Sequence, residues 1–232
     1  GVRRSDIDEA VIRELLERHR AGDLGTDALV AELAHMPYVN LGFARVDHHR
    51  EVRTGFPEVV FGEGKTPEQV GRIAAELLSH GDRLLVTRAS AQVHSAVLGV
   101  AVDAVFESVA RTITVDRRTG VEKAGLVSVI SGGTADLPVA MEAVITAEMM
   151  DRNVDRHFDV GVAGLQRLLD SLDDLRGADA IVAVAGMDGV LPSVLAGLVS
   201  VPVIAVPTSV GYGASFEGVG PLLTMLNACA PG

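Results

Sequence analysis

The sequence predicts an α/β protein: a doubly wound parallel sheet in its C-terminal half, preceded by a smaller α/β domain. Three observations lead there. Short continuous apolar runs alternate with helical patterns from residue 125 onward, which is how strands buried on both faces read. Hydrophobic residues make up 48% of the 232 residues but aromatics only 3%, with no Trp. The core must therefore be built from Val, Leu, Ile and Ala, which suits a sheet covered by helices. Gly and Pro punctuate the ends of the apolar runs, where strand-to-helix turns belong.

Taken in order, Asp8 to Arg20 carries Val11, Ile12, Leu15, Leu16 and His19 at helical spacing. Gly22 and Gly25 break it, and Thr26 opens a second short helix through ALVAEL (28–33) that stops near Pro37. LGFARVDHHR (41–50) and PEVVFG (57–62) read as a strand pair bounded by Gly and Pro. A helix over 66–80, a strand at RLLVT (83–87), a helix over 90–98 and strands near AVF (104–106) and RTITV (111–115) follow. DRRTG (116–120) is a polar turn, and we divide the chain there, into domains 1–120 and 121–232. Beyond it, strands are expected at 125–131, 154–158, 179–185 and 201–207, and helices at 136–150, 163–175, 190–199 and 215–227.

The net charge of −11 argues against nucleic acid or an anionic membrane as the main partner. It leaves room for a small anion, because one loop or a metal can override the global field. No apolar run reaches the length of a membrane span, and no signal peptide is visible. Cys229 is the single cysteine, so no internal disulfide is possible and a reducing, cytoplasmic setting is expected.

Two segments share one plan. ISGGTADLPVAMEA (130–143) and VAGMDGVLPSVLAG (184–197) each run from buried strand through Gly and Asp to Leu-Pro and a small-residue helix. In both, Pro falls in the first helical turn, where its missing N–H costs nothing. Both loops, and VPTSVGYGAS (206–215), leave the carboxyl ends of parallel strands, the edge where open α/β sheets bind ligands. In SGGTAD (131–136), glycines let backbone N–H groups approach an anion, and Ser131 and Thr134 add hydroxyls. A capped turn with Asp136 as N-cap accounts for the same residues. Two such loops on one edge favour a phosphate-bearing ligand, although neither is a P-loop or a GxGxxG. Asp188, between glycines, could hold a divalent ion or orient a water, or serve as an N-cap. In VDHHREVRTG (46–55), His48 and His49 alternate faces on a strand, so a zinc site is not expected. Cys229 follows a helix C-terminus, which disfavours a thiolate, so by itself it reads as a small buried hydrophobe.

The runs SGGTADLPVA, GVAGLQRLL (161–169), AGMDGVLPSVLAGL (185–198), PVIAVPTSVGYGASFEG (202–218) and LLTMLNACAPG (222–232), with LGFARVDHHREVRTGFPEVVFGEGKT (41–66), closely resemble LarB. LarB is the pyridinium-3,5-biscarboxylic acid mononucleotide synthase of nickel-pincer nucleotide cofactor biosynthesis. The resemblance covers most of the chain and implies a PurE-like, flavodoxin-like three-layer C-terminal domain. It implies that nicotinic acid adenine dinucleotide and CO₂ or bicarbonate are substrates, that Cys229 is the nucleophile, and that Mg²⁺ assists. Asp188 stands where the family often has Glu. Asp188 and Asp47 become the candidate metal ligands and catalytic carboxylates. Ser131, Gly132, Gly133, Thr134, Asp136, Gly186, Met187, Ser209, Gly211, Gly213 and Arg50 become candidate substrate contacts. The PurE fold also implies a homo-oligomer, an octamer. The alternative is a PurE-like aminoimidazole ribonucleotide carboxylase or mutase, but the His-Arg pair of that group is not found at its place in DVGVAGLQ (159–166). The family continues past CAPG with a short strand and helix, where this sequence stops at Gly232.

Overall fold

A computed structural model describes residues 6–34, 39–47, 50 and 55–230. The chain forms two compact units, residues 1–106 with 113–118, and residues 107–112 with 119–232.

In the first unit, α1 (Asp6–Ala21) and α2 (Thr26–Ala34) pair through Leu15, Leu24 and Leu29. The imidazole of His19 closes the turn between them through Nδ1, 2.7 Å from the carbonyl of Leu24. β1 (Val39–Asn40) and β2 (Arg45–Val46) make a small antiparallel hairpin. Among the described residues, the expected strand pair 41–50 with 57–62 does not form. β3 (Val59–Phe61) instead runs parallel to β4 (Arg83–Thr87). The short LGFA turn lets residues 39–46 satisfy their own backbone groups, which leaves β3 to pair across a helix. β4 is antiparallel to β6 (Thr112–Asp116), with β5 (Val105–Glu107) beyond it, giving the order β3-β4-β6-β5.

α3 (Pro67–Leu78) starts at a capping box. Thr66 Oγ1 accepts from the Gln69 N–H at 3.3 Å, and Gln69 Oε1 accepts from the Thr66 N–H at 3.0 Å. α4 (Ala91–Leu98) is capped by Ser90. Val70, Ile73, Leu77, Val93 and Val97 from these helices pack on Leu84, Val86, Ile113 and Val115 of the sheet.

The second unit is a fully parallel sheet, order β10-β9-β7-β8, built from β7 (Leu126–Ser131), β8 (Asn153–His157), β9 (Ala180–Ala185) and β10 (Val203–Pro207). β7 leads through α5 (Leu137–Met149) to β8 on one side, and β9 leads through α8 (Leu191–Ala196) to β10 on the other. Right-handed crossovers running in opposite directions put their helices on opposite faces. Ala140 and Val144 of α5 accordingly pack with Val129 and Val184. Leu191 and Leu195 of α8 pack on the other face with Ile130, Ile181 and Ala183, joined by Leu168 of α6 (Leu165–Asp170) and Leu175 of α7 (Leu172–Arg176). This is the three-layer, doubly wound sheet that the sequence predicts.

The helix expected over 163–175 is two helices. Ser171 sits between them and donates its hydroxyl to the Arg167 carbonyl at 3.2 Å, a back-bond that competes with the helical ladder. α9 (Val219–Leu226) is shorter than the expected 215–227 and follows a 3₁₀ turn over Gly213–Gly218. Among the described residues no helix is long and apolar enough to cross a membrane.

Candidate active site

Connections leave β7 and β9 in opposite directions, so the carboxyl ends of these neighbouring strands are the switch point at which open α/β sheets place a ligand crevice. The loops 132–136 and 186–190 flank it, with 208–218 from β10 and 158–164 from β8 alongside. The loops come very close together. The Gly132 N–H donates to the Val184 carbonyl at 2.9 Å. A Cβ on Gly186 would lie 2.1 Å from the Val210 carbonyl oxygen and 2.6 Å from Thr208 Oγ1, so only glycine fits. At Gly161 a Cβ would come within 2.4 Å of the Gly132 oxygen.

Asp136 lies beneath this meeting point, 5% exposed, and is the hub of the loops. Its Oδ2 accepts the Gly133 N–H at 3.0 Å, and its Oδ1 accepts the hydroxyl of Thr208 at 2.7 Å. Thr208 is itself 4% exposed, and its oxygen accepts the Val210 N–H at 3.3 Å. The Val210 carbonyl then accepts the Met187 N–H at 2.8 Å. Met187 holds a left-handed backbone, φ 47°, a conformation that costs a non-glycine residue about 1–2 kcal/mol. The bond to Val210 helps to hold it there.

The structure thus brings together the residues chosen from sequence in the segments 131–136, 186–188 and 209–213. Their side chains divide by direction. Ser131 is fully buried and its oxygen accepts the Asp159 N–H at 3.3 Å, so its hydroxyl serves the fold. Thr134, Met187, Asp188, Ser209, Gly211 and Gly213 are exposed at the loop surfaces. Asp188 Oδ1 accepts the Val190 N–H at 3.2 Å, a local turn that fixes the carboxylate just before α8.

Two residues were not singled out from sequence. Thr208 is one. In an irregular loop nothing in the string PTS shows which hydroxyl turns inward. Arg167 is the other. It sits in the first turn of α6 and makes an ion pair with Asp159, whose own N–H reaches Ser131. The carboxyl-edge loops 132–136, 158–164, 186–190 and 208–218 carry Asp136, Asp159, Asp188 and Glu217 and no Lys or Arg, and Arg167 lies three residues beyond one of them. That scarcity of positive charge was readable in the sequence once the edge was known.

Asp47 and Arg50 belong to the first unit. The Asp47 N–H donates to Glu58 Oε2 at 2.8 Å, and the Arg50 N–H donates to the Asp47 carbonyl at 3.4 Å. His48, His49, Glu51 and Arg53 lie outside the described residues.

Cys229 is exposed, contrary to the expectation of a small buried hydrophobe. α9 begins at the loop cluster, where Gly189 packs so closely on Pro221 that a Cβ would lie 2.7 Å from its Cα. The eight residues of α9 then rise about 12 Å, and Met225 joins the core beneath the sheet. Cys229 follows three residues beyond the end of α9.

Residues 38–118 match the LarB/PurE-like N-terminal domain, and residues 126–231 match the AIR carboxylase domain. An uncharacterised protein of Methanocaldococcus jannaschii is 35% identical over 231 residues, covering 95% of this chain and 89% of that protein. The two domains support an enzyme of the carboxylase class. With both domains in order, and a relative aligned over nearly its whole length, the chain belongs to the LarB family, with a PurE-like C-terminal domain.

Proposed function

We propose that the protein carboxylates the pyridinium ring of nicotinic acid adenine dinucleotide and cleaves its phosphoanhydride, giving pyridinium-3,5-biscarboxylic acid mononucleotide and AMP. The observation that supports this reading is the pair of glycine loops that meet at the switch point between β7 and β9. Thr134, Ser209 and the backbone of two glycine loops face outward there, donor groups suited to a phosphate and a flat ring. A pyridinium ring is electron-poor and does not attack CO₂. Addition of the Cys229 thiolate para to the ring nitrogen makes a neutral dihydropyridine whose adjacent carbon is nucleophilic. That carbon bonds to CO₂ and loses its proton. The nitrogen lone pair then expels the thiolate and restores aromaticity. Water cleaves the phosphoanhydride in the second step, with Asp188 placed to orient it.

The donor set bears on Mg²⁺. The described residues hold no group of three His, Cys, Asp or Glu side chains that could cage a metal. Mg²⁺ is usually held by one or two carboxylates together with substrate phosphates, and the exposed Asp188 fits that pattern. When bound, the ion would offset charge on the phosphoanhydride. Asp47 and Arg50 are the candidate contacts from the first unit.

The reading includes self-association into an octamer, in the cytoplasm. Val219, Leu222, Leu223 and Leu226 form an exposed stripe at i, i+3, i+4 and i+7 along α9, and Ile204 on the edge strand β10 is 54% exposed. With α9 lying between Cys229 and its own loops along the chain, the reading assigns the thiol of one copy to the loops of another.

The test is mass spectrometry of the products from nicotinic acid adenine dinucleotide, bicarbonate and Mg²⁺, beside Cys229→Ser. The dicarboxylated mononucleotide and AMP are expected from the wild type and not from the variant. The match of 126–231 to AIR carboxylase favours one second reading, carboxylation of an aminoimidazole ribonucleotide. Turnover of that substrate, with none of the dinucleotide, would replace the first.

A further inference from the structure

We infer that Asp136 and Thr208 are positioning residues: their buried hydrogen bond sets the relative placement of the loops that flank the crevice. The two side chains are 72 residues apart in sequence, are 5% and 4% exposed, and meet at 2.7 Å. The direction of the bonds is fixed by chemistry. A backbone N–H only donates, so the Val210 N–H takes a lone pair of the Thr208 oxygen and the single hydroxyl proton is left for Asp136 Oδ1. Its oxygen is then free to accept the Val210 N–H, which it does at 3.3 Å. The Val210 carbonyl in turn takes the Met187 N–H at 2.8 Å, next to Asp188. On the other side Asp136 Oδ2 holds Gly133 at 3.0 Å. One carboxylate thereby orders Gly133, Val210 and Met187, one residue from each of three loops that no strand ladder joins. A bond from a hydroxyl to a buried charge is among the stronger kinds, and losing one partner leaves the other without compensation. Neither side chain needs to touch a ligand for this role. Both act through Met187, Asp188 and Ser209, which are exposed at the loop surfaces.

The inference rests on the proposed crevice only for its effect on ligand, so the test has two arms. The first is amide hydrogen exchange on the full chain, comparing wild type, Thr208→Val and Thr208→Ser. Thr208→Val is expected to speed exchange at Gly133, Val210 and Met187 together, at least tenfold, while Ile130 and Val184 in the strands keep their protection. Thr208→Ser, which retains the hydroxyl, should restore the wild-type pattern. Should Thr208→Val fail to fold, Asp136→Asn is measured instead, with the same three amides expected to respond. A change confined to Val210, or one spread over the whole sheet, overturns the inference. The second arm uses nicotinic acid adenine dinucleotide. KM should rise about tenfold in Thr208→Val, with kcat within threefold and Thr208→Ser near wild type. A loss in kcat at unchanged KM would also overturn it. If the wild type turns over no dinucleotide, the functional reading fails, and the exchange pattern still decides the positioning role.

Discussion

Gly186→Ala probes the crevice most directly, because the clash it creates can be worked from the structure. The new methyl carbon would lie 2.1 Å from the Val210 carbonyl oxygen and 2.6 Å from Thr208 Oγ1, whereas real Cβ contacts essentially never fall under 3.0 Å. The Val210 carbonyl must therefore retreat by about 0.9 Å, the difference between those two distances. That oxygen is the acceptor for Met187, and the hydroxyl is the link to Asp136, so both bonds are disturbed at once. Overpacking of this kind costs about 1–3 kcal/mol. In urea, a loss of about 2 kcal/mol at a slope of about 2 kcal/mol/M moves the midpoint by about 1 M. With no Trp in the chain, far-UV circular dichroism is the natural probe. Gly197→Ala is the control. It follows α8, is exposed, and its added carbon would meet the Val194 carbonyl at an ordinary 3.5 Å, so a change within about 0.5 kcal/mol is expected. Equal midpoints for the two variants would refute the reasoning, since they would mean that the loops at Gly186 do not meet as described.

Four further outcomes are expected. Leu168→Ala removes a fully buried side chain from the core under α8 and should cost about 2–5 kcal/mol in the same melt, while Leu165→Ala, 44% exposed, should stay near wild type. Arg117, bonded to both oxygens of Asp103 at 2.8 Å, holds that carboxyl down at about 2, from an ordinary 3.8. A depressed carboxyl contributes its stability above 3.8 and loses it as pH falls toward 2, so Asp103→Asn should be slightly less stable than wild type at neutral pH, converge with it near pH 2, and so flatten the acid limb of a stability profile over that window. Arg167→Gln should raise KM for the dinucleotide severalfold, whereas Arg176→Gln, whose guanidinium bonds the Leu198 carbonyl away from the loops, should not; equal KM values would remove Arg167 from the site. Mixed oligomers of Cys229→Ser and Asp188→Asn, each inactive alone, should regain part of the activity, and no recovery would place thiol and carboxylate in the same copy.

The strands of the second unit were legible because each is a continuous apolar run, and runs such as AIVAVA can be stable only between two helix layers. What was not legible depended on partners distant in sequence. PEVVFG is visible as a strand, but it pairs with β4, while residues 39–46 pair with each other in a hairpin. The break at Ser171 turns on one hydroxyl choosing a backbone carbonyl. The loops were visible as glycine-rich ends of strands, yet a loop has no period to reveal which side chain turns in. Thr208 and Ser209 are adjacent hydroxyls, one buried and one exposed, and only the position of Asp136 makes the difference. Cys229 failed the general preference of thiols for burial because its helix ends at the surface after a mostly exposed apolar stripe.

Charge ties the site to its chemistry. A phosphate approaching the crevice meets Asp188 at one loop, Asp159 at another and Glu217 beyond, in a chain of net charge −11. Helix N-termini and glycine amides supply only partial positive charge. Arg167 supplies a full one, but it is already paired with Asp159, so a ligand that takes the guanidinium must compete with that carboxylate. The pair is half exposed, which makes the exchange cheap in water and sensitive to salt. Under the proposed reading, a divalent cation held jointly by Asp188 and the phosphate would strengthen the binding of that anion. Affinity for the dinucleotide should therefore rise with Mg²⁺ in the wild type and lose most of that dependence in Asp188→Asn, a pattern that isothermal titration reads without turnover. Equal dependence in both proteins would take Asp188 away from the phosphate and leave the crevice to the ring alone.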